Sequence, residues 1–421
     1  MKGIQGELMK NQKTAVVIVL DAAGLSTIEY LLFKYGGPVK FPNLAKLGLG
    51  AIVNPQYRAR IGKPSGRNYA ARLTQNSASA DSVVGHREMV GICDPRTFNL
   101  FPEGFSADFI KELERLIGRK TIFNKMAGGM EAIELNAAEH EKTGCPIVYA
   151  SKCDPLIQIA MNESVIPVSE QHKIADTAFS AAMRLGIPVT RAIARAYVRS
   201  AEGEIIRTPN RHDAVLPMEK KTLVDILYNK DVWTVAVGKT SELVNTAYHS
   251  KIKLTRRAFI DPSLGLRFVH PKQKDTNPYS VQGTLDAIIA SKEIYRPYGT
   301  FIFSNFVDTD SLYGHTRDVE GSIKCLEEAD RVLPLIEGKL EKGDLLIITA
   351  DHGMAHREDY GYHNREPLPL IVKRIGYGAD LGGLIPGRAE TLADVGYLAS
   401  QFFGCEKEYF AETGTEGIVK K

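Results

Sequence analysis

The chain of 421 residues carries 53 basic against 50 acidic side chains, a formal net charge of +3. That balance gives neither nucleic acid nor an anionic membrane a reason to be the main partner. With 44% hydrophobic and 24% charged residues, the composition excludes general disorder and supplies a sizeable core, which at this length implies two or three domains.

Five cysteines, Cys93, Cys145, Cys153, Cys325 and Cys405, are scattered without metal-type spacing. They argue against a disulfide framework or a structural zinc and fit a reducing cytoplasm. Residues 1–13 lack the apolar stretch of an export leader, and the run AVVIVL at 15–20 is far shorter than the ~20 residues that span a bilayer. No internal repeat or low-complexity tract is expected to organise the chain.

Taken in chain order, residues 14–21 (TAVVIVLD) form the first expected strand, and residues 27–34 follow as a helix. Residues 76–89, NSASADSVVGHREM, read as a small polar loop feeding a helix. Further on, 146–150 and 191–198 are strand candidates, and 169–185 before Gly186 is a helix. Residues 300–310 (TFIFSNFVDTD) and 344–352 (DLLIITADH) are again strands, followed by helices at 319–340 and 391–403, the latter closed by Gly404. Near-continuous apolar runs without alternation are what a parallel sheet covered on both faces requires. Alternation of strand and helix defines an α/β domain, whose chemistry gathers beyond the carboxyl ends of the strands.

Each of the three main strands ends in an acid, so Asp21, Asp310 and Asp351 should meet in one place. An aspartate after a strand also serves as a turn former or helix cap. Four of the ten histidines, His315, His352, His356 and His363, crowd beside two of those strand ends. An Asp/His set without cysteine suits Mn²⁺, Zn²⁺ or Fe²⁺, and it is large enough for two ions. Spacing alone leaves open which of His356 and His363 is a ligand. In the 76–89 segment, Ser82 and Ser79 are the nucleophile candidates, with Ser77 more remote. A hydroxyl there lies near exposed N–H groups at a positive helix end, where a phosphoryl group is held well. Serine at a helix start is commonly a cap, so its weight comes from a neighbouring metal pair that lowers hydroxyl pKa and shields phosphoryl oxygens.

Several long segments then carry a resemblance: IVLDAAG at 18–24, FPNLAKLGLG at 41–50, DSVVGHREMVG at 81–91 and HEKTGCPIVYAS at 140–151. RTPNRHD at 207–213, VAVGK at 235–239, NFVDTDSLYGHTRD at 305–318, ITADHG at 348–353 and HNREPLP at 363–369 continue it in order. The chain resembles the phosphopentomutases of the alkaline phosphatase superfamily, two-metal enzymes. The resemblance implies an α/β, alkaline-phosphatase-like core with a mostly parallel sheet covered by helices on both faces, plus an inserted smaller α/β cap domain. Residues 1–100 and 219–421 would form the core and 101–218 the cap. It assigns Asp21, Ser82, Asp351 and His352 to one metal and Asp310, His315 and His363 to the other, selecting His363 over His356 and Asp310 over Asp308. Manganese is the usual ion of the family, and a sugar bisphosphate the activator. Ser82 would carry the phosphoryl group exchanged with ribose or deoxyribose 1-phosphate and 5-phosphate. Arg195, Arg211 and His212 match positions that line the sugar-phosphate cleft, and Lys239, Ser151 and Asp154 are further substrate candidates. Arginine suits that task because its planar fork grips phosphate bidentately.

Four departures separate the chain from the family pattern. Ala80-Asp81-Ser82 stands where KDT is usual, and YASKCDP stands for YTSADS. GHTRD replaces GHRRD at Thr316, and NRHDA replaces NRHDY at Ala214. The metal ligands are intact while the cap differs, so other readings to weigh are a mutase for another phosphorylated sugar or a phosphonate, a metal-dependent phosphatase, and a non-catalytic binding protein.

Overall fold

The computed structural model describes residues 12–64, 66, 68–253, 259–270, 275–356, 361–384 and 389–419. Residues 1–11, most of the segment read as lacking a leader, lie outside the described residues. No helix among the described residues is long and apolar enough to cross a membrane. The chain divides into two compact units, one of residues 1–95 and 218–421, the other of residues 96–217.

The larger unit is built on a seven-stranded sheet in the order Ser250–Ile252, Trp233–Val237, Thr300–Phe306, Thr14–Leu20, Leu345–Thr349, Leu368–Arg374, Tyr69–Leu73. The first five run parallel; Leu368–Arg374 alone is antiparallel to its neighbours. Every residue of Thr14–Leu20 is buried, as is every residue of Thr300–Phe306 and Leu345–Thr349. Successive side chains of a strand point to opposite faces, so unbroken burial means that helices cover both. This is the mostly parallel α/β core the apolar runs imply.

The helices expected at 27–34, 319–340 and 391–403 are Leu25–Tyr35, Val319–Glu337 and Ala393–Phe403. Two acid-tipped strands stop earlier than their apolar runs: Thr300–Phe306 ends before Asp308, and Leu345–Thr349 ends before Asp351. The difference has a physical cause. The acids sit on turns that leave the sheet, where a buried carboxylate meets N–H groups and imidazoles instead of the apolar layer.

The smaller unit has its own mixed sheet in the order Ile122–Ala127, Ile147–Ser151, Leu156–Asn162, Arg191–Arg199, Ile205–Arg207, with His212–Val215 also paired to Arg191–Arg199. Its two faces feed two separate apolar clusters. Val148 and Ala150 pack with Phe109 and Leu113 of Ala107–Ile117 and with Ile174 and Ala178 of Val168–Arg184. Ile147 and Tyr149, on the alternate face, pack with Ala132 and Ile133 of Gly129–Thr143.

Candidate metal centre

Asp21 directly follows the first strand and is fully buried, and the next residue, Ala22, takes a left-handed backbone conformation at φ 58°. Such a conformation is strained for alanine. Here it aims the Ala22 N–H at Asp351 Oδ1, 3.1 Å away, which ties the ends of two neighbouring strands together.

A second carboxylate comes from the end of Thr300–Phe306, where the chain winds into a π-type turn, Thr309–Gly314. The wider winding stacks residues about five apart on one side, so Asp310 and His315 face each other, with His315 Nε2 3.2 Å from Asp310 Oδ1. Asp308 is engaged elsewhere. Its carboxylate accepts from the N–H of Thr276 at 2.8 Å, of Asn277 at 2.6 Å and from Thr276 Oγ1 at 2.6 Å, capping the helix Asn277–Glu293.

The third donor group follows Leu345–Thr349. Asp351 and His352 are fully buried and lead into a two-stranded ribbon, Gly353–His356 against Gly361–Asn364. In that ribbon His363 stands opposite Met354, and its Nε2 lies 3.0 Å from Asp310 Oδ1. His356 sits four residues beyond His352 at the far end of the first ribbon strand, stacked on the Tyr30 ring at 4.7 Å. Ribbon register thus separates the two histidines that spacing left open.

Two groups of donors form wholly within the larger unit, each offering ligand atoms within 4.8 Å of one another: Asp21, Asp351 and His352, and Asp310, His315 and His363. The groups adjoin, because the rings of His352 and His363 stack at 3.8 Å. Ser82 opens the helix Ser82–Met89, with Asp81 as its cap accepting from Val83 N at 2.8 Å. Its Oγ lies 3.1 Å from His352 Nε2.

The electrostatics call for cations. Burial first, then the charges of Asp351 and Asp310, push the Asp21 carboxyl well above the ordinary range, against the pull of Lys239 and Asn305. Burial would also raise Asp310 and Asp351, yet the surrounding imidazoles hold both well below it. Burial lowers His352, keeping its ring neutral, as a ligand must be. Divalent ions fit this set. Asp21 Oδ1 is buried without a hydrogen-bond partner. His352 Nδ1 donates to the Gly353 carbonyl at 3.0 Å and His315 Nδ1 to the Gly361 carbonyl at 2.9 Å, which leaves each Nε2 facing the carboxylates. A backbone acceptor on the far nitrogen is how proteins orient metal-binding histidines.

Of the substrate candidates, Lys239 belongs to the larger unit, where its charge acts on Asp21. The others belong to the smaller unit. Arg195 Nε donates to Gln158 Oε1 at 3.0 Å, and burial, then Arg211, bring its guanidinium down to about 10. Arg211 grips the Asp213 carboxylate through two nitrogens, and Arg191 lies 3.7 Å from both Asp154 and Asp213. Ser151 Oγ accepts from the N–H groups of Cys153 and Asp154 at 3.4 Å each, within a turn. His212 lies apart from this cluster, with Nε2 2.8 Å from Asp176 Oδ1 and its ring stacked on His172.

Two residues of the centre carry no weight in the sequence reading. Asn305 donates to Asp21 Oδ2 at 2.9 Å, and His86 lies 3.2 Å from Asp351 Oδ2. The one signal available was the spacing of His86 four residues after Ser82 on a helix, which puts both on one face.

Residues 13–407 match the family model of the metalloenzyme superfamily. The phosphopentomutase of Pseudothermotoga lettingae is 34% identical over 408 residues, covering 93% of this chain and 96% of the relative. That of Thermotoga maritima is 35% identical over 404 residues, covering 92% and 95%. Among solved structures, Leishmania mexicana phosphoglycerate mutase aligns with a TM-score of 0.43 at 12% identity, covering 93% of this chain and 95% of that one. The chain belongs to the metalloenzyme superfamily, a class of enzymes that use divalent metal. Within it, the chain belongs to the phosphopentomutase family.

Proposed function

We propose that the protein is an isomerase that interconverts ribose or deoxyribose 1-phosphate and 5-phosphate through a phosphorylated Ser82 and a sugar bisphosphate. The observation that carries this reading is Ser82 Oγ, at a helix N-terminus and 3.1 Å from His352 Nε2, beside two adjoining donor groups. In the proposed cycle the bond between Ser82 Oγ and phosphorus breaks as a substrate hydroxyl oxygen bonds to that phosphorus, and the hydroxyl proton passes to the freed Ser82 Oγ. Ser82 Oγ then bonds to the other phosphorus of the bisphosphate as its bond to the sugar oxygen breaks, and the proton passes to that leaving oxygen, restoring the starting state. Asp21, Asp351, His352 and Ser82 would hold one ion and Asp310, His315 and His363 the other, with Mn²⁺ as the proposed metal. When bound, such a pair lowers hydroxyl pKa and neutralises charge on the phosphoryl oxygens.

The inserted cap, expected at 101–218 and lying within or next to the smaller unit of residues 96–217, supplies substrate recognition in this proposal. Arg195 and Arg211 would bind phosphate. Arg195 donates to a neutral amide and its charge is disfavoured by burial, so an anionic ligand would restore what burial takes away. Ser151, Asp154, His212 and Lys239 complete the proposed set. A sugar bisphosphate would prime Ser82. Five free cysteines support a reducing cytoplasm.

The test is turnover. Manganese-loaded protein is incubated with ribose 1-phosphate and a trace of glucose 1,6-bisphosphate, and the products are followed by phosphorus NMR. Ribose 5-phosphate with little free phosphate is the expected result. Free phosphate as the main product would replace the mutase by a metal-dependent phosphatase, and no conversion would move the proposal to another phosphorylated sugar or a phosphonate.

A further inference from the structure

His86 is fully buried, yet it neither faces solvent nor belongs to either donor group. Its ring lies between the proposed nucleophile's own backbone, the Asp351 carboxylate and the Asn305 amide. Nδ1 is 2.9 Å from the Ser82 carbonyl oxygen and 3.2 Å from Asp351 Oδ2. Both are acceptors, so Nδ1 carries the proton. Nε2 is then the acceptor, and it meets the Asn305 side-chain nitrogen at 3.2 Å. That same nitrogen donates to Asp21 Oδ2 at 2.9 Å. A hydrogen-bonded path therefore runs from the Ser82 carbonyl through the imidazole and the Asn305 amide to Asp21, with Asp351 Oδ2 beside the ring. Phe303, at a ring distance of 5.7 Å, fixes the imidazole from its side.

We infer that His86, with Asn305 as its relay, is a positioning residue for the group formed by Asp21, Asp351 and His352: through Asn305 it holds Asp21 by Oδ2, and its ring stands against Asp351 Oδ2, so that Asp21 Oδ1 and Asp351 Oδ2 converge on one ion. This rests on the reading of that group as a metal site. The geometry gives the division of labour. Asp21 Oδ2 is occupied by Asn305, while Asp21 Oδ1 is the atom without a hydrogen bond and 3.5 Å from His352 Nε2. Asp351 Oδ1 is occupied by the N–H groups of Ala22 and His352 at 3.1 and 3.0 Å, while Asp351 Oδ2, like Asp21 Oδ1, has no hydrogen-bond partner and lies 3.2 Å from His86 Nδ1 and 3.4 Å from His352 Nε2. Partners of this kind hold a metal site by restricting ligand motion, and losing one typically weakens metal affinity by about 10- to 100-fold. The second group, around Asp310, is oriented by a different partner, the Gly361 carbonyl that accepts from His315 Nδ1.

The test is Mn²⁺ titration of chelator-stripped protein, read by electron paramagnetic resonance and by elemental analysis. Apoprotein melting is recorded alongside. Wild type should take up two ions. His86→Phe keeps an aromatic ring in the same packing and should weaken one of the two sites by about 10- to 100-fold while sparing the other. His86→Asn keeps a donor where Nδ1 stands and should restore most of that loss, which a purely structural role would not predict. Asn305→Ala, which cuts the relay to Asp21, should reproduce the one-site loss and decides the matter should His86→Phe fail to fold. Wild-type affinity at both sites in His86→Phe and Asn305→Ala would overturn the inference, as would equal weakening of both sites with a matching fall in apoprotein stability. A wild type that takes up no ion at this group would instead overturn the metal-site reading itself.

Discussion

At the scale of single residues, the proposed chemistry depends on one hydroxyl whose environment differs from that of Ser77 in the same loop. Ser82 lies at the first turn of a helix with an imidazole nitrogen at 3.1 Å, whereas Ser77 is used inward, its N–H bonded to Glu88 Oε2 and its Oγ accepting from Asp94 N. Ser82→Ala should lower kcat by roughly 10⁴-fold or more, with the melting temperature moved little, because the methyl group fits where the hydroxymethyl stood. A variant with near-normal turnover would remove Ser82 from the mechanism. The smaller unit carries a separate, pH-dependent contribution at Asp213. Burial alone would raise its pKa, but Arg211, then Arg191 and Arg195, bring it down to about 2 from an ordinary 3.8. A depressed carboxylate stabilises the fold above its unfolded pKa, and that stability is lost as pH falls from about 4 through about 2. At about 1.4 kcal/mol per pKa unit, it amounts to roughly 2 kcal/mol. Asp213→Asn should therefore cost about that much at pH 7 in urea denaturation followed by circular dichroism, and the gap from wild type should close near pH 2. A gap that is the same at both pH values would mean the ion pairs contribute nothing.

Elements, more than residues, decide what the sequence discloses about this centre. The three acid-tipped strands are legible because a strand buried on both faces tolerates no polar residue until it leaves the sheet, so Asp21, Asp310 and Asp351 mark the ends of apolar runs. Asp308 and Asp310 cannot be told apart by that rule. What separates them is Thr276 and Asn277, whose N–H groups claim Asp308 from a distant helix start, and a π-type turn that no residue preference announces. His363 and His356 are likewise separated by ribbon register, which depends on pairing rather than on local pattern. Family resemblance selects, from each pair, the residue that the structure brings into a donor group; periodicity could not have. His86 escaped both routes, since a histidine on a buried helix face reads as core. The same helix carries a further constraint. An added methyl carbon at Gly85 would lie 2.8 Å from the carbonyl carbon of Asp351 and closer still to its oxygen, well inside contact distance. Only glycine lets the helix that presents Ser82 rest directly on the strand end that presents Asp351. Gly85→Ala should separate the two, costing about 1–3 kcal/mol of stability and about 100-fold in kcat for a displacement near 1 Å. Steady-state kinetics beside thermal melting would check it, and unchanged kcat would show that the contact is not what sets Ser82 against the metal ligands.

For the whole molecule, the division into two units makes a thermodynamic claim that neither residues nor elements make alone. The members of the two groups read as metal sites, and Ser82 with them, belong to the unit of residues 1–95 and 218–421. The strands of each unit pair only within that unit, and the smaller one buries apolar clusters on both faces of its own sheet. Two cores without shared strands should unfold as two cooperative transitions. A ligand that binds only the native form of one of them stabilises that one alone, by about 2.7 kcal/mol for each site when free metal stands at 100 times its dissociation constant. Chelation should therefore lower one calorimetric transition by roughly 5–10 °C and leave the other where it was. The spared transition should coincide with that of residues 96–217 expressed alone. Should both transitions fall together, or a single transition move as a whole, the two units would be coupled in folding, and metal binding in the larger unit would be setting the stability of the smaller unit as well.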